Sequence, residues 1–230
     1  MTRVAVFRPD DHRIEDARRA LERRGYEVVA DPLLEVEPTG REARVDADYL
    51  VLTSVTGAAL VDDPRGRVCA IGPKTAEALR RRGHDVYLVP EEHTSDGIVS
   101  ALSDEVDGAR VEVARSDHGS DVLVDGLEEA GAYVHETVLY RLRRPEGAGE
   151  RTRDALDADE LDAVLFTSSL TVEHLVRSVE PDALDDVVAG VIGPPTRDTA
   201  VDHGVDVDFV AADATFESLV EGLERELPAE

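Results

Sequence analysis

The sequence predicts an α/β fold of two similar lobes, each a parallel sheet flanked by helices, joined by a two-stranded β-ladder linker. Three observations predict it. Short apolar strands alternate with helical segments along all 230 residues, the pattern of parallel sheets covered on both faces. The chain also contains a diverged internal repeat. Residues 4–8 (VAVFR) match 111–115 (VEVAR), residues 49–54 (YLVLTS) match 163–168 (AVLFTS), and residues 70–75 (AIGPKT) match 191–196 (VIGPPT), at offsets of 107, 114 and 121. Finally, long connections, residues 33–48 and 137–161, follow the first unit of each copy, with extended stretches 32–37 and 137–143 in matching places.

Each element has its own signal. Residues 4–7 form a short apolar strand. Residues 14–24 carry apolar residues at helical spacing (Ile14, Ala17, Ala20, Leu21) and stop at Gly25. Residues 27–29 read as the next strand, and 49–52, 68–71 and 86–89 as buried strands. A helix over 75–82 stops at Gly83, and another over 97–102 has Ser95 and Asp96 as capping candidates. The second copy repeats the plan with strands at 111–114, 132–135, 163–166, 187–192 and 206–210. Periodicity leaves two domain plans open. Either two sequential domains divide near residue 108, or the extended stretches cross and the first β-α-β unit of each copy joins the last units of the other.

Composition narrows the function. An apolar fraction of 42% is that of a globular protein, but 51 acidic against 25 basic residues give a net charge of −26, and Lys74 is the only lysine. A dispersed acidic surface of this kind suits very high salt, where the screening length falls to ~3 Å at 1 M and self-repulsion fades. No basic face is present for a phosphate backbone, so nucleic acid is not an expected partner. Cys69 stands alone in an apolar run and reads as a buried small hydrophobe. No leader and no membrane-length apolar run is seen, so a cytoplasmic protein is expected, and no repeated hydrophobic surface suggests more than a monomer.

Ligands of open parallel sheets gather at the carboxyl ends of the strands. Those ends carry Arg8-Pro9-Asp10, Thr53-Ser54, Gly72-Pro73-Lys74-Thr75, Arg115-Ser116-Asp117-His118-Gly119, Thr167-Ser168-Ser169 and Gly193-Pro194-Pro195-Thr196. Hydroxyls, glycines and helix N-termini suit an anionic ligand with several carboxylates or phosphates. Any one Ser or Thr there is most simply a helix cap; six duplicated positions in two lobes argue for a binding cleft. The Gly72–Thr75 turn is no phosphate loop, because Pro73 interrupts it, and no G-x-G-x-x-G follows a strand. Asp117-His118 lacks further ligands for a metal. Tyr140 is the exception to the repeat: it aligns with Leu34, placing a phenol where the other copy is apolar, and a tyrosine beside a cleft can donate a proton to a leaving oxygen.

In order, the opening strand with Arg8-Pro9, the Gly25-Tyr26 turn with Pro32-Leu33, the paired Thr-Ser strand ends, the two Ile-Gly-Pro-x-Thr turns, Tyr140 and the closing residues 214–219 (ATFESL) resemble the uroporphyrinogen-III synthase family from Val4 to Leu223. The resemblance implies the interleaved plan: lobe one from 1–33 plus 145–230, lobe two from 39–136, and linker strands 34–38 and 137–144, with the active site between the lobes. It implies a substrate, hydroxymethylbilane, a linear tetrapyrrole with eight carboxylates, cyclised with loss of water and inversion of the last ring, without cofactor or metal. Tyr140 matches the family's active-site tyrosine. Thr75, Thr167, Ser168 and Thr196 match positions near the cleft; Arg8, Arg115, Ser116, Ser169 and Gly193 complete the expected substrate-binding set. Pro195 departs from the family by removing an N–H and a hydroxyl. A non-catalytic two-lobed anion-binding or regulatory protein on the same scaffold is the alternative, because fold alone does not fix function.

Overall fold

The structure, a computed structural model, describes residues 2–227. In chain order its elements are β1 (Arg3–Val6), α1 (His12–Glu22), β2 (Glu27–Ala30), β3 (Glu35–Pro38), β4 (Tyr49–Leu52), α2 (Val55–Leu60), β5 (Arg67–Ala70), α3 (Pro73–Arg81), α4 (Ser95–Leu102) and β6 (Arg110–Ser116). There follow α5 (Asp121–Glu129), β7 (Tyr133–Arg143), α6 (Glu150–Asp157), β8 (Ala163–Phe166), α7 (Ser169–Leu175), a 3-10 turn at Pro181–Leu184, β9 (Val188–Val191), α8 (Pro194–Asp202), β10 (Phe209–Val210) and α9 (Phe216–Glu226). The chain divides into two compact units, Met1–Val36 with Arg143–Glu230, and Glu37–Leu142.

The first unit is built on a five-stranded sheet in the order β10-β9-β8-β1-β2, with parallel pairs throughout. β1 sits inside this sheet, between β2 and β8, so both of its faces are covered. Ala5 and Phe7 pack on one side with Val164, Phe166 and Val191, while Val4 and Val6 pack on the other with Ala163, Leu165 and the apolar stripe Ile14, Ala17 and Leu21 of α1. Alternate side chains of a strand point to opposite faces, so both sets must be apolar when both faces are buried. Asp11 caps α1 by accepting from Arg13 N–H at 2.8 Å, and Gly25, at φ 90°, makes the left-handed turn into β2.

Two buried polar groups tie this unit together. The Asp31 carboxylate, 2% exposed, accepts from Gly149 N–H (3.2 Å), Thr152 N–H (2.9 Å) and Thr152 Oγ1 (2.7 Å). It therefore satisfies the first-turn donors of α6 from more than a hundred residues away in sequence. His174 is buried, and its Nδ1–H donates to Leu33 O at 2.6 Å. Burial pushes its pKa below the ordinary histidine value, and the Leu33 bond opposes that only in part. A histidine held neutral stabilises the fold fully above its unfolded pKa of ~6.5, and this contribution is lost as pH falls through the folded value. Wild type should therefore lose stability relative to His174→Gln as pH is lowered from 7 to 5. Thermal midpoints of the two proteins across that range check this, and a pH-independent difference would contradict it.

The second unit repeats the plan with a sheet in the order β3-β7-β6-β4-β5. Tyr49, Val51, Cys69, Val111 and Val113 of its strands pack against Ile98, Leu102, Leu123 and Leu127 of α4 and α5. Cys69 is fully buried, and burial pushes its thiol up to about 12, so it packs as an apolar residue. Strand for strand, β6 occupies the position of β1, β7 that of β2, β4 that of β8 and β5 that of β9. The correspondence extends past the strands: Leu34 forms a parallel bridge with Pro9, and Tyr140 is in register with Ser116.

The structure differs from the sequence reading in three places. Residues 86–89 do not form a strand; they make one parallel bridge, Leu88 with Cys69, held by Tyr87 N–H to Val68 O at 2.8 Å and Ala70 N–H to Leu88 O at 2.9 Å. α4 is capped by Thr94, whose side chain accepts from Gly97 N–H at 3.0 Å, and begins at Ser95, so Ser95 and Asp96 are not its caps. Residues 137–143 are not a separate linker strand. β7 runs unbroken for 11 residues, with only a register shift opposite Arg115 and Ser116.

Candidate functional site

In the first unit the carboxyl ends of β1, β8 and β9 present Arg8, the Thr167–Ser169 run and the N-terminus of α8. Arg8 Nε is buried without a hydrogen-bond partner, and its guanidinium carbon lies 5.3 Å from the centroid of the Phe216 ring. Burial, followed by repulsion from Arg13, lowers its pKa, though an arginine stays charged. A cation lacking an acceptor in a desolvated setting favours an incoming carboxylate. Ser168 and Thr171 form a capping box at the start of α7, in which Thr171 Oγ1 meets the Ser168 backbone N–H (3.3 Å) and C=O (2.6 Å), while the buried Ser168 Oγ makes no hydrogen bond of full geometry.

The neighbouring hydroxyls are engaged. Thr167 Oγ1 donates to Phe7 O at 2.7 Å, tying the ends of β8 and β1 together. Ser169 Oγ donates to Pro195 O at 3.1 Å and accepts from Thr199 Oγ1 at 2.8 Å. Gly193 precedes α8 with nothing within 4 Å of the space where a side chain would stand. Thr196, 4% exposed, begins the helix interior after Pro194 and Pro195, which remove two N–H donors from its start. The consequence is a weaker anion-binding terminus than α3 offers, where Lys74 retains its N–H before the equally buried Thr75.

In the second unit the matching ends of β4, β6 and β7 meet around one phenol. Tyr140, 6% exposed, donates from its hydroxyl to Ser54 Oγ at 3.0 Å. Ser54 caps α2 and accepts from Gly57 N–H at 2.9 Å. The phenol is thus coupled through one hydroxyl to a helix start, whose partial positive charge favours negative charge on oxygen. Tyr140 O accepts from Asp117 N–H at 3.2 Å, which fixes the backbone beside Ser116. Ser116 Oγ accepts only a long 3.4 Å contact from His118 N–H.

Arg115 is not available to a ligand in this arrangement. It is 4% exposed, and its guanidinium is bound to Glu136 (2.9 Å from Nε, with a second, shorter contact from Nη2) and to Ser120 O. It acts as an internal strut between β6, β7 and the start of α5. The sequence placed Ser54 only among the strand-end hydroxyls, in register with Ser168 of the repeat, without marking it as the partner of Tyr140.

A family model described as uroporphyrinogen-III synthase HemD matches residues 15–221. The chain belongs to the uroporphyrinogen-III synthase family. A relative from Methanothermobacter thermautotrophicus is 32% identical over 228 residues, which cover 88% of this chain and 90% of its own. The uroporphyrinogen-III synthase of Synechococcus elongatus is 25% identical over 228 residues, covering 87% and 86%. Among solved structures, uroporphyrinogen-III synthetase from Helicobacter pylori superposes with a TM-score of 0.72 at 16% identity, covering 98% of this chain and 100% of that one. A mutant uroporphyrinogen-III synthase from Thermus thermophilus gives 0.67 at 22% identity over the whole of both chains. These likenesses show the fold.

As a member of this family the chain shows an asymmetry between its two units. One strand-end face carries the half-buried Arg8 cation and the Ser168 hydroxyl; the other carries the Tyr140–Ser54 pair. Among the described residues no group of three or more His, Cys, Asp or Glu is placed to hold a metal, and no helix is long and apolar enough to cross a membrane.

Proposed function

We infer that the protein catalyses the uroporphyrinogen-III synthase reaction, converting hydroxymethylbilane to uroporphyrinogen III and water. The observation that carries this reading is the family match over residues 15–221. In the reaction the terminal hydroxyl takes a proton and leaves as water, the C–O bond breaking as a pyrrole nitrogen lone pair forms the azafulvene. The substituted carbon of the last ring then attacks, and the spiro intermediate rearranges to close the macrocycle with that ring inverted.

Tyr140 is the proton donor to the leaving hydroxyl in this reading. Its own proton is committed to Ser54 until substrate offers a better acceptor. Ser54 can then turn its own O–H toward the phenolate as a hydrogen-bond donor, held by Gly57 N–H at 2.9 Å, and the proton lost from the last ring as the macrocycle closes restores the phenol. Arg8, Ser168, Ser116, Thr75, Gly193 and Thr196 serve as carboxylate anchors, while Thr167, Ser169 and Arg115 keep the strand ends in place. The uncatalysed bilane cyclises without inversion, so oriented anchors matter as much as proton transfer.

The charge of −26 opposes a polyanionic substrate at low salt. The reading therefore includes work at molar salt, by a monomeric cytoplasmic enzyme, with Arg8 supplying local positive potential. The test supplies fresh hydroxymethylbilane at multimolar KCl, oxidises the products and separates the isomers chromatographically. Mostly type III isomer is expected. Type I alone, at the uncatalysed rate and from folded protein, would leave only a binding scaffold, and activity that rises as salt is removed would overturn the high-salt reading.

A further inference from the structure

β7 carries one residue more than its partner strand just before Tyr140. Arg115 of β6 pairs with Val138 and Ser116 pairs with Tyr140, so Leu139 is the extra residue of a β-bulge. A bulge bends its strand, raises the local twist and re-aims a neighbouring side chain. Here Leu139 and Tyr140 are both buried, at 2% and 6% exposure. The sheet runs β7, β6, β4, so the phenol crosses the end of β6 to meet Ser54 after β4, two strand spacings or about 10 Å from its own strand. Over that reach a small rotation of the backbone moves the hydroxyl a long way.

The bulge is held from two directions. Thr39, just past β3, donates from its N–H to Leu139 O at 2.9 Å and from Oγ1 to Val138 O at 2.7 Å. From the end of β6, Asp117 donates its N–H to Tyr140 O at 3.2 Å, and its Oδ1 accepts from Leu142 N–H at 3.0 Å. The carboxylate thus extends the β6–β7 ladder by one bond beyond the last residue of β6. The other copy of the repeat is a natural control. Asp10 makes the same backbone contact, N–H to Leu34 O at 2.9 Å, but its carboxylate is exposed and takes no hydrogen bond among the described residues. The side-chain clamp is therefore found in the copy that carries the tyrosine and not in the copy that carries leucine.

We propose that Asp117 is a positioning residue for the Tyr140 phenol, acting with Thr39 to fix the bulge that aims it. The proposal rests on the reading of Tyr140 as proton donor. Asp117 acts through the backbone of β7 and has no need to touch substrate. Misplacing a reacting group by ~1 Å can cost 10²-fold in rate, so loss of one of the two clamps is expected to cost about tenfold.

The test measures kcat and KM for type III isomer formation at constant high salt in Asp117→Ala, Asp117→Asn and Thr39→Val, each alone and with Tyr140→Phe. Asp117→Ala is expected to lower kcat about tenfold while KM stays within about twofold. Asp117→Asn keeps an amide oxygen for Leu142 N–H and is expected to recover most of the loss. With Tyr140→Phe already present, Asp117→Ala is expected to add less than about twofold, because placement no longer matters once the hydroxyl is gone. If Asp117→Ala fails to fold, Thr39→Val decides by the same pattern. An unchanged kcat, Asp117→Asn as poor as Asp117→Ala, or a full tenfold loss on top of Tyr140→Phe would each overturn the assignment. Fluorine NMR of protein labelled with fluorotyrosine, the Tyr140 resonance being assigned by Tyr140→Phe, reads the ring without turnover. Asp117→Ala is expected to move that resonance and Asp117→Asn to leave it in place. Wild type that yields only the type I isomer overturns the reading of the reaction; a moved resonance still supports the clamp on the ring, and an unmoved one overturns it.

Discussion

Tyr140→Phe is expected to lower the rate of type III isomer formation by about 10²-fold, the lower part of the range for a positioned general acid, while leaving some activity. Residual activity is expected because the anchors that impose the ring-inverting conformation remain. The substitution also removes the 3.0 Å bond to Ser54, a stability cost of ~1 kcal/mol. Ser54→Ala removes the same bond and so controls for it. If the phenol acts through the Ser54–Gly57 relay, Ser54→Ala lowers kcat about tenfold, and the double variant is no worse than Tyr140→Phe alone, because the two act as one unit. Single-turnover assays of the three variants on hydroxymethylbilane, with isomers resolved, give the answer. Equal losses in Tyr140→Phe and Ser54→Ala, tracking melting temperature, would reduce Tyr140 to a packing residue.

Asp31→Ala is expected to cost about 3–5 kcal/mol of stability, because three donors at and near the start of α6 are left in a buried site, each worth ~1–3 kcal/mol when unsatisfied. The sum is discounted because water can reach some of them once the carboxylate is gone. This is a large fraction of the ~5–15 kcal/mol that holds a typical domain together. Asp31→Asn keeps one acceptor oxygen and should cost less than half as much. Urea unfolding at constant salt reads both, as midpoint shifts at unchanged slope. A loss under ~1 kcal/mol for Asp31→Ala would mean that α6 finds other acceptors.

Much of the fold was readable because the repeat and the strand pattern report the same physics. Val4–Phe7 and Ala163–Phe166 are continuous apolar runs because strands inside a parallel sheet are covered on both faces. The alignment of Tyr140 with Leu34 was readable too, since both hold the residue paired across from the end of the preceding strand. What the sequence concealed depends on register between distant segments. Arg115 looked like a free cation at a strand end; Glu136, on the adjacent strand, occupies it. Thr94 was passed over as a cap because Ser95 and Asp96 carry the same chemistry one and two residues later.

The position of β1 has a consequence for biosynthesis. Its neighbour β8 begins about 160 residues later, as the pairing of Val4 with Ala163 requires. At ~5–20 residues per second, roughly 8–30 s separate the emergence of the two strands from the ribosome. During that interval residues 37–142 are already complete, and their own strands pair over shorter separations, β4 with β5 and β6 with β7. The nascent β1-α1-β2 segment can cover Val4 and Val6 with its own α1, but Ala5 and Phe7 wait for Val164, Phe166 and Val191. The first sheet can therefore close only after β8 has emerged and paired with the open edge of the waiting β1, a contact of high sequence separation.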